Sequence, residues 1–300
     1  MDRIRIGTRD SQLAVAQAEL LKKHLESRHP HMEVLLVKMK TKGDRILDRR
    51  LDEIGGKGLF VRELDLALQE GRTDLSVHSL KDMPMEEPAG YPILGFSRRE
   101  LPQDALVLPQ GSTYLDLGRP VGTSSPRRSV QLAALYPGCQ VKPVRGNILT
   151  RLRKLDSGEY GALVLAAAGL ARLGLGHRIH RLFSVSEMIP AAGQGILAIQ
   201  GREGFDKSLL EGFLDEDARW QALAERSFIR GIGAGCSSAA AAYAVISGDE
   251  LLLTGMSAGN SSKSAEAEAA GIRTASASGK KWDAEQIGMQ LAEQKSFSQN

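Results

Sequence analysis

A chain of 300 residues is long enough for two or three domains, and its 42% hydrophobic content is sufficient for buried cores. A net charge of +3, with Lys and Arg spread along the chain, argues against nucleic-acid binding, and the 5% aromatic content argues against base stacking. No apolar run reaches the length of a membrane span, and the amino terminus lacks an apolar core of signal-peptide length, so we expect a cytoplasmic protein. Cys139 and Cys236 lie far apart and lack the spacing of a zinc or redox site.

The first third of the chain alternates between strand and helix patterns, which predicts an α/β domain. The predicted elements are, in order, strand 4–6, helix 11–29, strand 34–39, helix 60–69 and strand 74–77. Pro30 ends the first helix, and the strands on either side of it make a β-α-β unit with a right-handed crossover. The irregular segment 41–58 is long, and loops of this length in compact domains are usually functional or disordered.

The α/β pattern restarts near Leu101, and the composition changes after Arg219. The elements expected between these points are strands 105–108, 120–122, 140–144, 162–167 and 196–200, a helix from 126 and a helix over 147–155. Strand 196–200 is a candidate to cross back to the first domain. The last part is rich in Ala and Ser, and its expected elements are helix 218–230, strands 242–246 and 251–254, an exposed hairpin or mobile surface at 257–281, and helix 283–293.

The segment 75–84 opens as a strand and then becomes polar, which places Lys81 and Asp82 at the strand's carboxyl end. Open α/β sheets bind ligands at this edge. A solvated loop is the alternative when this segment is considered alone. Against that alternative, further basic residues recur at strand ends, at helix starts and on the segments that follow: Arg9, Arg127, Arg128, Arg145, Arg151 and Arg172.

Arg127 and Arg128 fall in the first turn of the helix that Ser125 caps. Cations in the first turn oppose the helix macrodipole, so a pair there favours an anion bound at the helix amino terminus. The alternative is a surface pair that reaches back to acidic neighbours. Guanidinium groups bind carboxylates or phosphates through bidentate hydrogen bonds, so several arginines at strand ends indicate a ligand with many anionic groups.

Two glycine-rich stretches carry further candidates. Residues 55–60, Gly-Gly-Lys-Gly-Leu-Phe, lack the frame of a nucleotide phosphate loop, and we interpret them as a flexible lid that carries Lys57. Cys236 follows a helix in a flexible turn, where nearby cations would make its thiol reactive; a small buried cysteine is the alternative. His177 and His180 have no acidic or Cys partner, so we predict no metal site.

Together these stretches resemble the hydroxymethylbilane synthases, also called porphobilinogen deaminases. The matching residues appear in the family's order between Ile4 and Cys236. They are Gly7-Thr8-Arg9, Ser11, Leu13-Ala14, Gly43-Asp44, the stretch 55–60, His78-Ser79-Leu80-Lys81-Asp82-Met83-Pro84, Val121-Gly122-Thr123-Ser124-Ser125, Arg127-Arg128, Arg145-Gly146-Asn147, Thr150-Arg151-Leu152, Ala168-Gly169-Leu170, Pro190-Ala191, Gly193-Gln194-Gly195 and Gly235-Cys236.

The resemblance implies an α/β fold with two doubly wound, periplasmic-binding-protein-like domains that flank a cleft, and a small α+β domain with an antiparallel sheet. We place domain 1 at 1–98 and 195–214, domain 2 at 99–194 and domain 3 at 215–300. The implied reaction is the deaminative head-to-tail condensation of four porphobilinogen molecules into hydroxymethylbilane, in tetrapyrrole (haem) biosynthesis. The implied cofactor is one dipyrromethane, held by a thioether bond to Cys236.

The resemblance also assigns roles to individual residues. Asp82 is implied as the catalytic carboxylate, which stabilises an azafulvenium-type cation and holds pyrrole N–H groups. The cofactor-binding residues implied beside Cys236 and Asp82 are Lys81, Thr123, Ser125, Arg127, Arg128, Arg145 and Gly146. The substrate-binding residues implied are Arg9, Ser11, Lys57, Arg151, Arg172 and Gln194. A monomer is expected, with no nucleic-acid or membrane partner and with a transient hand-off of product to the next enzyme.

The chain departs from the family pattern near the cysteine. Ala234 stands where the family has the first of two glycines, and Ser238-Ala239 stands where a Val-Pro pair is common. Two other functions remain open on the residues alone: a non-catalytic two-lobed binding protein for an anionic small molecule, and a transferase that acts through a free Cys236. The binding protein has no use for Cys236, whereas the synthase carries this cysteine permanently substituted.

Overall fold

The computed structural model describes residues 3–41, 61–86, 88–235, 238–258 and 271–297. The chain forms two compact units, Met1–Glu100 with Ile196–Arg219, and Leu101–Gly195 with Trp220–Asn300. The division into three domains with the boundaries given above stays a prediction. None of the helices in the described part of the chain is long and apolar enough to cross a membrane.

The first unit contains a five-stranded sheet. With strands and helices numbered along the whole chain, its elements are β1 (Arg3–Arg9), α1 (Gln12–Arg28), β2 (Glu33–Met39), α2 (Arg62–Gln69), β3 (Leu75–Ser79), β4 (Ile93–Phe96) and β10 (Leu197–Gly201). The strand order is β2-β1-β3-β10-β4, in which β1 is parallel to β2 and β3, and β10 is antiparallel to β3 and β4. The predicted return of strand 196–200 to the first sheet is confirmed.

Helix α1 shows how the sequence fixes this packing. Ser11 caps the helix, and its side-chain oxygen accepts a hydrogen bond from the Ala14 N–H. The buried positions Ala18, Leu21 and Leu25 recur at helical spacing and join the core with strand residues such as Ile4 and Ile6. The predicted β-α-β unit is therefore present, and its apolar stripe lies against the sheet.

The second unit contains a five-stranded and a three-stranded sheet. Its elements are β5 (Asp104–Val107), β6 (Val121–Gly122), α3 (Pro126–Leu135), β7 (Val141–Lys142), α4 (Ile148–Asp156), β8 (Ala162–Ala166), α5 (Ala167–Arg172), β9 (Arg181–Leu182), α6 (Glu216–Gly231), β11 (Ala240–Ser247), β12 (Glu250–Ser257), β13 (Arg273–Lys280) and α7 (Ala284–Ala292). The first four residues of α6 belong to the first unit.

The two five-stranded sheets have the same plan. The second has the order β7-β6-β8-β5-β9, with β6 parallel to β7 and β8, and with β5 antiparallel to β8 and β9. In each sheet three parallel strands are followed by one antiparallel strand and an outer strand. The predicted fold class, two doubly wound domains and a small antiparallel sheet, is confirmed.

The three-stranded sheet, in the order β11-β12-β13, is antiparallel throughout. Phe228 of α6 lies against it at Gly255, where an added Cβ would meet the ring at 2.5 Å, and its ring packs edge-on against Phe297. Met256 belongs to a buried cluster with Val130 of α3. This sheet therefore shares its core with the doubly wound part of the second unit.

Three strands were missed from the sequence: β4, β13 and the two-residue strand β9. Strand β4 is short and contains Gly95, which packs closely against Leu214: a Cβ there would lie 2.5 Å from the leucine side chain. Strand β13 has the sequence Arg-Thr-Ala-Ser-Ala-Ser-Gly-Lys, whose small residues give no apolar signal. The antiparallel pairing of Arg273–Lys280 with β12 agrees with the hairpin alternative for 257–281, and residues 259–270 of this segment lie outside the described residues. The predicted loop 41–58 lies outside the described residues except for Thr41.

A buried polar network links β3, β10 and α2. The His78 Nε2 lies 2.9 Å from the Gln200 Oε1, while the Gln200 Nε2 donates to the Asp65 Oδ1 and the Tyr91 carbonyl, at 3.0 Å each. Because the amide nitrogen is turned away from the imidazole, the amide oxygen faces it, and the His78 Nε2 must carry the hydrogen. Burial is the main cause that lowers the pKa of His78 to about 4; the hydrogen bond with Gln200 opposes this shift, and the nearby charge of Arg9 contributes to it.

We expect His78 to remain uncharged through the neutral range. The His78 imidazole is protonated near its ordinary pKa of 6.5 in the unfolded chain but only near 4 in the folded chain. The folded state therefore has its full stability above pH 6.5 and loses stability as the pH falls toward 4. An NMR titration of the His78 ring signals, assigned with a His78→Asn variant, would measure this pKa. A midpoint near 6.5 in the folded protein would contradict it.

Gly288 of α7 allows close contact with α6. A Cβ there would lie 2.5 Å from the Ala224 carbonyl oxygen and 2.8 Å from the Phe228 nitrogen, and these backbone atoms cannot yield without moving the helix. We expect Gly288→Ala to lower the unfolding free energy by a net of about 1–2 kcal/mol, since overpacking against backbone atoms costs about 2–3 kcal/mol and the gain in helix propensity is about 1 kcal/mol. Urea unfolding would measure it, and Gln290→Ala on the exposed face is the control.

Candidate functional site

In the first unit, three predicted site residues lie at one edge of the sheet. Strands β1 and β3 are parallel neighbours, with Ile6 opposite Leu75, so their carboxyl ends point the same way. Strand β1 ends at Arg9, and β3 runs directly into the 3₁₀ turn Leu80–Asp82. The structure therefore brings Arg9, Lys81 and Asp82 to the edge at which the sequence places a ligand site. Ser11, also predicted there, caps α1 with its side-chain oxygen as an acceptor, and its O–H remains a donor.

The turn after β3 is anchored by its apolar residues. Leu80 and Met83 are each 1% exposed, and the Leu80 N–H donates to the Ile196 carbonyl at 3.0 Å. Between these anchors Lys81 is half-buried and Asp82 is exposed. Within the part of the chain that the structure describes, the Asp82 carboxylate makes no hydrogen bond or ion pair. A fixed backbone thus presents an available carboxylate at the same sheet edge as two cations.

In the second unit, the segment before α3 is held by hydroxyl groups. The Ser125 N–H donates to the Thr123 Oγ1 at 3.2 Å, and the Ser124 Oγ donates to the Val144 carbonyl at 2.8 Å. Ser125 has the extended conformation of a helix cap, but its side chain makes no capping hydrogen bond, and Pro126 follows it. The predicted helix start is correct, and the cap hydroxyl is not used by the helix.

Arg127 and Arg128 point into the protein. Their side chains are 4% and 8% exposed, and both form ion pairs with Asp104, which is fully buried in β5. The Arg127 Nη1 lies 2.8 Å from the Asp104 Oδ2, and the Arg128 Nη2 lies 2.6 Å from the Oδ1. Burial alone would raise the pKa of the Asp104 carboxyl, but the two guanidinium groups hold it well below its usual range.

These contacts correspond to the alternative in which the arginine pair reaches back to an acidic neighbour, except that the pair is buried instead of lying on the surface. Gln194, predicted as a neutral donor, belongs to the same network: its Nε2 donates to the Pro102 carbonyl at 2.7 Å and to the Asp104 Oδ1 at 3.1 Å. One carboxylate against two guanidinium groups leaves a net positive charge near the start of α3. Binding of the cofactor by the pair stays a prediction.

Three other predicted arginines are half-buried in the second unit. Arg145 precedes α4, and the Arg151 Nε donates to the Gly146 carbonyl at 2.8 Å. Gly146 has a φ of 106°, and a Cβ there would meet the Thr150 side chain at 2.6 Å, so the position requires glycine. Arg172, the last residue of α5, donates from its Nη2 to the Gly195 carbonyl at 2.8 Å.

Two buried carboxylates of this unit were missed from the sequence. Asp104 directly precedes the predicted strand 105–108, and an acidic residue at the start of an apolar strand was the available signal. Glu225 lies in the predicted helix 218–230 and is fully buried. Its position on the buried face of the helix, between Ala222 and Phe228, was the signal that the carboxylate must be satisfied internally.

Cys236 and Lys57 lie outside the described residues, but the neighbours of Cys236 can be examined. No residue other than glycine has a positive φ in the described part of the chain, so the backbone accepts Ala234 in place of the family's glycine. The Ser238 N–H donates to the Gly235 carbonyl at 3.0 Å, and the Ser238 Oγ accepts from the Gly235 N–H at 3.1 Å. These two bonds join the residues on either side of 236–237 without a proline.

Comparison with known proteins agrees with this geometry. The family description "Porphobilinogen deaminase, dipyromethane cofactor binding domain" matches residues 4–210, and "Porphobilinogen deaminase, C-terminal domain" matches residues 220–295. The porphobilinogen deaminase of Acetivibrio thermocellus is 54% identical over 253 residues, which cover 84% of this chain and 87% of the relative. That of Chromobacterium violaceum is 45% identical over 296 residues, which cover 97% and 94%.

Solved structures show a weaker likeness. The periplasmic aliphatic sulphonate binding protein SsuA of Escherichia coli aligns with 77% of this chain and 70% of its own at 12% identity, with a TM-score of 0.41. The family descriptions and the relatives confirm the predicted transferase reaction and the predicted dipyrromethane cofactor. The chain belongs to the porphobilinogen deaminase family.

Proposed function

We propose that Asp82 is the catalytic carboxylate with which this chain condenses four porphobilinogen molecules, head to tail and with loss of ammonia, into linear hydroxymethylbilane. The observation that carries this role is the exposed Asp82 carboxylate at the carboxyl edge of the first sheet, the edge that also carries Arg9 and Lys81. The buried side chains of Leu80 and Met83 hold its backbone in place, so little reorganisation is needed when charge develops.

The chemistry requires a carboxylate in this position. When porphobilinogen loses ammonia, the carbon–nitrogen bond breaks and a cationic electrophile remains, which a nearby anion stabilises. The attacking pyrrole then gives up a proton, and a carboxylate within hydrogen-bond reach can accept it. Arg9 and Lys81 supply positive charge at the same sheet edge for the substrate's carboxylates.

The residues of the site fit a dipyrromethane. When bound, this group supplies the pyrrole end from which the product chain grows. Its carboxylates require cationic donors, and its pyrrole N–H groups require an acceptor, which Asp82 provides. We propose that the cofactor's donors include Lys81, Thr123, Ser125, Arg127, Arg128, Arg145 and Gly146. The half-buried Arg145, the net positive charge of the Arg127–Arg128–Asp104 cluster and the unused cap hydroxyl of Ser125 support this set.

The remaining assignments are also proposals. We assign substrate binding to Arg9, Ser11, Lys57, Arg151, Arg172 and Gln194. The structure supports Arg151 and Arg172 by orienting each guanidinium with a backbone carbonyl, an arrangement that limits the conformations of the side chain. We further propose attachment of the cofactor at Cys236, division into the three domains predicted above, and a cytoplasmic monomer that hands its product to the next enzyme.

We expect Asp82→Asn to lower kcat by about 10²- to 10⁴-fold, the range for losing a positioned acid–base group. Since the Asp82 side chain is exposed, the urea unfolding midpoint should stay unchanged. Glu86→Gln, a change at another exposed carboxylate four residues further on, is the matched control and should retain full activity. A kcat within a few-fold of the unmodified protein would rule out the catalytic role of Asp82.

The intact mass of the denatured protein tests the attachment point. We expect an excess corresponding to two linked porphobilinogen units in the unmodified protein and none in Cys236→Ala. Cys139→Ala is the control and should keep the excess, because Cys139 is buried and burial raises the pKa of its thiol. An excess that persists in Cys236→Ala would place the cofactor elsewhere.

If the protein without substitutions shows no mass excess, the second step is to incubate it with porphobilinogen. A gain in mass would then show that the apoprotein had been isolated. If nothing were added, both the transferase function and the cofactor attachment would be contradicted for this chain, and the binding-protein alternative would replace them.

A further inference from the structure

We propose that Glu225 is a positioning residue for substrate binding, which sets the orientation of Arg172 through the backbone of residues 193–195. The proposal rests on the substrate-binding role of Arg172 given above. It concerns a residue that sequence analysis did not select, on the helix that leads toward Cys236.

Five residues of the segment 189–195 form hydrogen bonds with other elements of the second unit. The Ile189 N–H donates to the Gln131 Oε1 at 2.7 Å, and the Pro190 carbonyl accepts from the Ala242 N–H at 3.2 Å. The Gln194 side chain reaches Asp104, and the Gly195 carbonyl accepts from Arg172. These ties join the segment to α3, β11, β5 and α5.

Glu225 accepts the hydrogen bond from Gly193. Its Oε2 accepts from the Gly193 N–H at 2.7 Å, and its Oε1 accepts from the Ala244 N–H of β11 at 2.8 Å. Charge-assisted bonds from a fully buried carboxylate to backbone N–H groups are short and strong. One side chain of α6 therefore holds the segment and the small sheet at the same time.

Gly193 and Gly195 are the residues in this segment whose backbone most needs hydrogen bonds to fix its conformation. Their φ values are 72° and 92°, in the region where glycine has greater conformational freedom than other residues. Two residues after Gly193, the Gly195 carbonyl is the acceptor for the Arg172 Nη2 at 2.8 Å. If the Gly193 peptide turns, this carbonyl moves and the Arg172 guanidinium loses the contact that orients it.

The informative change is Glu225→Gln, which keeps the shape of the side chain. One carboxylate oxygen becomes an NH₂ group, and that group faces a backbone N–H of Gly193 or Ala244, donor against donor. We expect the peptide covering 189–195 to exchange its amide hydrogens at least about ten-fold faster, as local opening rather than global unfolding. Glu216→Gln, an exposed position on the same helix, is the control and should change nothing.

The kinetic readout separates positioning from catalysis. We expect Glu225→Gln to raise the KM for porphobilinogen about five-fold or more with kcat nearly unchanged, as for loss of a binding interaction. In an Arg172→Gln background the same change should alter KM by less than about two-fold, because residues that act through one another are not additive. Equal effects of Glu225→Gln in both backgrounds would overturn the proposal.

The proposal is also tested by hydrogen exchange, by a second variant and by the activity of the unmodified protein. Unchanged exchange at 189–195 in Glu225→Gln would overturn the proposal whatever the kinetics. If that variant fails to fold, Glu225→Asp keeps the charge with a shorter reach and should show the same pattern in KM and exchange; an unaltered KM there would also overturn it. If the unmodified protein does not convert porphobilinogen, the proposed function fails, while the exchange result still tests the tie at Gly193.

Discussion

Two guanidinium groups share the carboxylate of Asp104 inside the second unit, and much of that unit is arranged around this contact. Arg127 and Arg128 bring the start of α3 to β5, and Gln194 brings the segment before β10 to the same carboxylate. Removing one member of a buried charge cluster typically costs about 3–5 kcal/mol, because its partners remain buried without compensation. The excess of one positive charge at the amino end of α3 makes this region attractive to an anion.

The residues at strand ends could be predicted because their pattern is local. Strand β3 changes from apolar to polar within a few residues, and parallel strands deliver their carboxyl ends to one edge, so Lys81 and Asp82 were placed correctly. The helices that begin at Ser11 and Ser125 were likewise marked by a cap residue or proline. Where neighbouring residues determine the structure, the sequence was sufficient.

The buried carboxylates could not be predicted because their partners are distant in the chain. Asp104 meets Arg128 across 24 positions, and Glu225 meets Gly193 across 32. A helix start with two arginines has the same local sequence whether an internal carboxylate or an external anion neutralises it. Strand β13 was missed for a related reason. It has no apolar pattern of its own, and it is a strand because it pairs with β12.

The order of strands in the first sheet has a consequence for synthesis of the protein. Strand β10 lies between β3 and β4, yet it is made after all the strands of the second five-stranded sheet. While the chain leaves the ribosome, β4 has no neighbour in its sheet, and one edge of β3 keeps unpaired N–H and carbonyl groups. The first unit is therefore the first to begin synthesis, but its sheet is completed after the five-stranded sheet of the second unit. A nascent chain that stalls before Leu197 exposes an open sheet edge, a site at which chaperones or aggregation would act.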